Sequence, residues 1–169
     1  SSLPLSPALL LTAAFVARAE VKLPPVFSDH MVLQREIAAP VWGTASPGEE
    51  ITVSIAGQSK STKADDAGKW RVKLDPLKVG DPLTLTVKGK NTVTINDVLV
   101  GEVWVGSGQS NMDGRVNGYA KNDEVLAELA AKSFPQIRHI NSRGTWQVAT
   151  PQASGGFRSE EHTSELQSQ

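Results

Sequence analysis

Between Val41 and Ile95 apolar residues recur at every second position in short segments, and turn-forming residues close each segment. Ile51, Val53 and Ile55 alternate with Thr52 and Ser54. Trp70, Val72 and Leu74 alternate with Arg71 and Lys73, and Leu83, Leu85 and Val87 with Thr84 and Thr86. Successive side chains of a strand point to opposite faces, so this period marks antiparallel strands packed on one side. The breaks are Ser46-Pro47-Gly48, Asp65-Asp66-Ala67-Gly68, Val79-Gly80-Asp81-Pro82 and Gly89-Lys90-Asn91. Each combines residues that favour tight turns. About six such strands predict a small β-sandwich of jelly-roll or immunoglobulin-like type. Trp42 and Trp70 are expected to be the largest apolar contributions to its core.

The pattern changes near Asn96-Asp97. Val98, Leu99, Val100, Val103, Trp104 and Val105 predict a nearly continuous apolar strand covered on both faces. Gly106 and Gly108 then permit a sharp turn, with Ser107 and Ser110 just beyond the strand end. A serine nucleophile needs an exposed hydroxyl, a base within reach and N–H groups for the oxyanion. A strand end beside a helix start supplies that kind of place. By spacing alone most such turns are only turns. Farther on, Asp123 suits the N-cap of a helix carrying Val125, Leu126 and Leu129, and Phe134-Pro135 ends it. Ile137 and Ile140 indicate a following strand, and strand, loop, helix, strand is the opening of an α/β unit.

Several motifs in order resemble the sialate O-acetylesterase family, a branch of the SGNH hydrolases. Gly108-Gln109-Ser110-Asn111-Met112 after Gly101-Glu102-Val103-Trp104-Val105 is similar to its nucleophile block. Val26-Phe27-Ser28-Asp29-His30-Met31-Val32-Leu33-Gln34-Arg35 resembles its amino-terminal signature. Pro40-Val41-Trp42-Gly43, Gly68-Lys69-Trp70, Phe134-Pro135-Gln136-Ile137-Arg138 and Trp146-Gln147-Val148 continue the likeness, which runs from about Val21 to Phe157. The resemblance implies a β-sandwich over residues 20–97. The start of an α/β, flavodoxin-like hydrolase domain would follow over 98–157, incomplete in this stretch. It implies that Ser110 is the nucleophile, favoured over Ser107, that its own N–H is one oxyanion donor, and that Gly108, Gln109 and Asn111 shape the turn. It implies removal of O-acetyl groups from sialic acids without cofactor or metal. The family's later glycine, asparagine and Asp-x-x-His blocks are not found here, so this stretch by itself is expected to be inactive.

Charge and composition narrow the alternatives. Over 169 residues the net charge is −1 with both signs interspersed, which gives no footprint for nucleic acid or a membrane surface. The absence of cysteine excludes disulfides and thiol catalysis. Of the three histidines, His30 is expected to be structural, His139 to pack or face solvent, and His162 to lie in the tail. Leu9–Val16 followed by Ala17-Arg18-Ala19 reads as the core and cleavage site of a secretory signal over residues 1–19, truncated at its start. It is too short for a membrane span and implies a secreted or periplasmic protein. Arg158–Ser168, RSEEHTSELQS, is what a common sequencing-adapter read gives on translation, so residues 158–169 are expected to take no part in the fold. Two other functions fit the same residues: an esterase for acetylated xylan or another polysaccharide, and a non-catalytic sugar-binding sandwich. An aromatic exposed on the sheet would favour the latter. The oligomeric state is not legible from this sequence.

Overall fold

The computed structural model describes residues 20–106, 116–141 and 143–151. The strands are β1 (Val32–Gln34), β2 (Pro40–Thr44), β3 (Glu50–Ile55), β4 (Gln58–Lys63), β5 (Lys69–Lys73), β6 (Leu83–Lys88), β7 (Thr92–Gly101), β8 (Phe134–Ile140) and β9 (Trp146–Ala149). Two short helices, α1 (Val116–Tyr119) and α2 (Glu124–Ala130), lie between β7 and β8 with a 3₁₀ turn at Ala120–Asn122. The fold is therefore mostly sheet with few helices.

A five-stranded sheet runs β1-β7-β6-β3-β4, in which only the β1–β7 pair is parallel. β2 and β5 form a second, antiparallel sheet of two strands. The alternation sends Ile51, Val53, Ile55, Leu85, Val87, Ile95, Val98 and Val100 inward from the larger sheet. Val41, Trp70 and Val72 come from the smaller one, and all belong to one buried cluster. Burial of this apolar surface is the main force holding the two sheets together. The turns fall where expected: Gly48 and Gly68 take φ of 70° and 73°, and Asp65 Oδ1 accepts from the N–H groups of Ala67 and Lys69.

β4 is a strand that the period-two reading misses. Its sequence, QSKSTK, has no apolar residue, yet it pairs along all of β3. The connection is Ala56-Gly57, both at positive φ (50° and 76°), the twist that suits a two-residue hairpin. Thr52 and Ser54 meet the hydroxyls of Ser61 and Ser59 across the pair. Lysines on this outermost strand discourage pairing with another chain.

Two expectations are corrected. First, the strand expected over 98–105 is instead the end of β7, which begins at Thr92 and stops at Gly101. Val98 and Val100 are buried in the common core, whereas Trp104 and Val105 are 87% and 90% exposed. Among the described residues the ladder ends where the parallel partner does, at the pair Gln34–Gly101. The boundary placed between 97 and 98 thus falls inside β7, at a bulge. There β6 advances from Leu83 to Leu85 while β7 goes from Val98 back to Ile95, with Asp97 at φ 52°.

Second, Trp42 is not in the core. Period two lets only one of Val41 and Trp42 face inward; Val41 is fully buried, and Trp42 is 40% exposed with its ring edge-to-face on Phe27 at 4.7 Å. Trp70 is buried as expected, over Gly43, where a Cβ would stand 2.9 Å from the indole. The expected order of strand, helix and strand is met by β7, α2 and β8, but among the described residues β8 does not join the sheet of β7. β8 pairs antiparallel with β9. The hairpin turn is set by Asn141, whose Oδ1 accepts from the N–H groups of Arg143 and Thr145, and by Gly144 at φ 76°. Helix α2 has its expected cap, Asp123 accepting from Leu126 N at 2.9 Å, but it buries no residue.

The signal-like segment, Gly108, Gln109, Ser110, Asn111, the rival Ser107 and the tail from Arg158 lie outside the described residues. Among the described residues no helix is long and apolar enough to cross a membrane.

Candidate functional site

The segment Val26–Arg35 grips the second half of β7, from Asn96 to Gly101, in the strand that precedes the serine block in sequence. Asp29 Oδ1 accepts from Asn96 N at 2.7 Å, and His30 N donates to Asn96 O. These bonds satisfy backbone groups that the bulge removes from the ladder. His30 Nδ1 lies 2.6 Å from Asp97 Oδ2, and His30 itself sits at φ 68°. A carboxylate only accepts, so Nδ1–H is the donor. β1 then continues the grip as backbone pairing from Val32–Leu99 to Gln34–Gly101.

Past Gly101 side chains replace the ladder. Arg35 N donates to Gly101 O at 3.0 Å. Gln34 uses both ends of its amide: Oε1 accepts from Val103 N at 2.8 Å, and Nε2 donates to Glu102 Oε2 at 2.9 Å. Arg35 Nε donates to the other Glu102 oxygen. The bonds from Gln34 and Arg35, with the Arg35 charge, hold the Glu102 carboxyl below its usual range, and Glu102 in turn raises Arg35.

The hairpin β8–β9 docks onto the same segment. Trp146 Nε1 donates to Val26 O at 2.9 Å, and Trp146 N to Ser28 Oγ at 3.1 Å. Arg138 Nη2 donates to Asp97 Oδ2 at 2.8 Å, and the Arg138 side chain is only 4% exposed. Asp97 therefore receives His30 and Arg138 together. The His30 bond lowers its carboxyl pKa; burial opposes this, and the Arg138 charge adds to the lowering.

His30 thus ties the Val26–Arg35 segment to β7, and His139 lies half-buried on β8 opposite Gln147. Among the described residues no group of three or more acidic or histidine side chains is placed to hold a metal. The sequence reading missed Asp97, Glu102 and the role of Arg138. Their partners are 41 to 68 residues away, beyond any local period. The one available signal was the Asn96-Asp97 pair interrupting an apolar run, which is the mark of a bulge.

No family model matches the chain. It is 38% identical over 126 residues to the sialate O-acetylesterase of Homo sapiens, a match covering 68% of this chain and 24% of that protein. With the sialate O-acetylesterase of Rattus norvegicus it is 34% identical over 148 residues, covering 79% of this chain and 27% of that one. The fold matches the crystal structure of a carbohydrate acetylesterase from Xanthomonas citri with a TM-score of 0.71 and 34% identity, over 81% of this chain and 34% of that chain.

Over this stretch the chain belongs to the sialate O-acetylesterase family. It spans about a quarter of the length of the curated relatives it matches, 23% for that of Mus musculus and 24% for that of Homo sapiens. The signature Val26–Arg35, which carried the family resemblance, has a physical role in this fold. It joins the strand before the serine block to the hairpin β8–β9.

Proposed function

We propose that this chain is part of a secreted or periplasmic serine esterase that removes O-acetyl groups from sialic acids. The observation that carries the reading is the 34–38% identity to proteins named sialate O-acetylesterase, together with the acetylesterase fold match. Ser110 Oγ attacks the acetyl carbonyl, and its own N–H helps hold the oxyanion, in a turn shaped by Gly108, Gln109 and Asn111. A serine hydroxyl is a poor nucleophile until a base takes its proton. The family resemblance places that base in a later Asp-x-x-His block rather than at His30. The base is therefore assigned to a histidine outside this stretch, oriented by an aspartate. Water then hydrolyses the acetyl-enzyme.

In this reading the two sheets form a β-sandwich reaching to Gly101, rather than to residue 97, and the hydrolase part begins in the segment that follows. The run Leu9–Ala19 acts as a secretory signal, which predicts Glu20 as the mature amino terminus. The substrate is an O-acetylated sugar and no cofactor takes part.

The test is acetate release from O-acetylated sialic acid by the full-length protein carrying this stretch. Ser110→Ala should abolish turnover with an unchanged circular dichroism spectrum; retained wild-type rates would remove Ser110 from the mechanism. Faster release from acetylated xylan would move the substrate to plant polysaccharide. The 40% exposure of Trp42 favours one second reading, a sugar-binding face on the smaller sheet. Glycan binding by the full-length protein that Trp42→Ala removes, with turnover intact, would support it.

A further inference from the structure

We propose that Gln34, Arg35 and Glu102 form a positioning clamp that sets the direction in which the chain leaves β7 toward Ser110. The proposal rests on the reading of Ser110 as nucleophile given above. Three observations carry it.

The backbone ladder between β1 and β7 stops at Gln34 and Gly101. One residue later the Gln34 amide takes over, accepting from Val103 N and donating to Glu102 Oε2. A primary amide has the donor and acceptor of a peptide unit, so the side chain adds one more rung where the partner backbone has turned away. Arg35 completes the arrangement from two sides, its backbone N–H on Gly101 O and its Nε on Glu102 Oε1.

The clamp is also out of proportion to any contribution it makes to stability. The Arg35 and Glu102 side chains are 42% and 48% exposed, and exposed ion pairs contribute little. Among the described residues nothing covers Trp104 and Val105, which are 87% and 90% exposed. Hydrogen bonds that add little stability still fix a direction, because the two Gln34 bonds and the Arg35 fork act on consecutive residues. A nucleophile must stand in near-attack geometry, and a displacement of about 1 Å can cost ~100-fold in rate.

The test is a swap. Gln34→Glu keeps shape but removes the donor and sets two carboxylates together. In the full-length enzyme kcat should fall at least ~10-fold with KM changed less than ~2-fold, the signature of lost transition-state placement. The melting temperature should move by less than ~2 °C, because the site is exposed. Adding Glu102→Gln restores the complementarity: the amide now at position 102 donates to the carboxylate now at position 34 and accepts from Arg35. The double variant should recover kcat to within ~3-fold of wild type, since coupled neighbours are non-additive. An unchanged kcat in Gln34→Glu, a parallel loss of stability, or no recovery in the double variant overturns the proposal.

A second measurement separates the clamp from the esterase reading. In the 169-residue chain the Val103 amide should show a modest, roughly several-fold protection that disappears in Gln34→Ala. If Val103 is unprotected from the start, or its exchange is unchanged in the variant, the clamp itself is refuted. If the full-length protein shows no Ser110-dependent turnover while Val103 behaves as expected, the esterase reading fails and takes the clamp's catalytic role with it.

Discussion

Asp97→Asn keeps the size of the side chain but removes the charge that His30 Nδ1 and Arg138 Nη2 both face at the junction between β7 and the β8–β9 hairpin. Asparagine has nearly the same size and tolerates the left-handed backbone at this position, φ 52°. The consequence falls on Arg138, whose side chain is 4% exposed. Among the described residues its Nε and Nη1 have no hydrogen-bond partner, so Asp97 supplies the compensation for the buried guanidinium. Removing one partner of a fully buried ion pair costs about 3–5 kcal/mol. Asp97 itself is 31% exposed and partly screened by solvent, which brings the expected cost to about 2–3 kcal/mol. At roughly 4 °C per kcal/mol for a folded body of this size, the melting temperature should fall by about 8–12 °C. The assay is thermal unfolding near neutral pH followed by far-ultraviolet circular dichroism. Arg138→Met in the same background removes the stranded charge and should recover most of the loss. A single-variant shift below about 2 °C, or a double variant no better than the single, would refute the assignment of Asp97 as counter-charge.

Glu49 and Asp97 predict the direction of acid sensitivity. Burial alone would raise the Glu49 carboxyl, but the N–H groups of Lys90 and Ser46 and the Lys90 ammonium outweigh it and hold it below the usual range. Both carboxyls are depressed on folding, so their contribution is complete above the unfolded value of about 4 and is lost as pH falls through the folded values. Urea midpoints measured down the acid limb should show that loss, and a midpoint flat below pH ~4 would contradict it. Glu49→Gln leaves the N–H of Ser46 or Lys90 facing an amide donor and should cost about 1–3 kcal/mol in urea unfolding. Gly43→Ala would drive a Cβ into Lys22 O and place it 2.9 Å from the Trp70 ring, breaking the Lys22–Thr44 bridge. Overpacking of that kind should cost about 1–3 kcal/mol, and a neutral result would mean the Lys22 strand is not held there. Ala56→Asn, at φ 50° before Gly57, installs the favoured hairpin pair and should raise the urea midpoint slightly; a lowered midpoint would count against the turn geometry.

Several turns and the buried faces were legible because they are local. Ile51, Val53 and Ile55 declare their face by period, Gly48 and Gly68 declare turns, and Asp123 declares a helix start. β4 was hidden because its partner's backbone, not an apolar face of its own, makes it a strand. Trp42 was misplaced because size and aromaticity outweighed phase: Val41 already occupied the inward position. The strand read over 98–105 looked uniform in composition, but its parallel partner β1 ends at Gln34, and a ladder needs a partner more than it needs valine. The motifs themselves were visible while their purpose was not. Nothing in the spacing says that Gln34 meets Val103, or that His30 and Arg138 converge on Asp97. Those contacts are made by topology, through a parallel pairing and a docked hairpin that no local pattern encodes.

The central claim, that Ser110 is the nucleophile of a carbohydrate O-acetylesterase, is tested most directly by trapping the acetyl-enzyme. The full-length protein would be mixed with O-acetylated sialic acid, quenched in acid within the turnover time, digested and mapped by mass spectrometry. The account predicts one acetyl group on the peptide that carries Gly108-Gln109-Ser110-Asn111, with fragmentation placing it on Ser110 and not on Ser107. Turnover with the acetyl group on another residue, or with no covalent adduct under conditions that trap a known serine esterase, would contradict it.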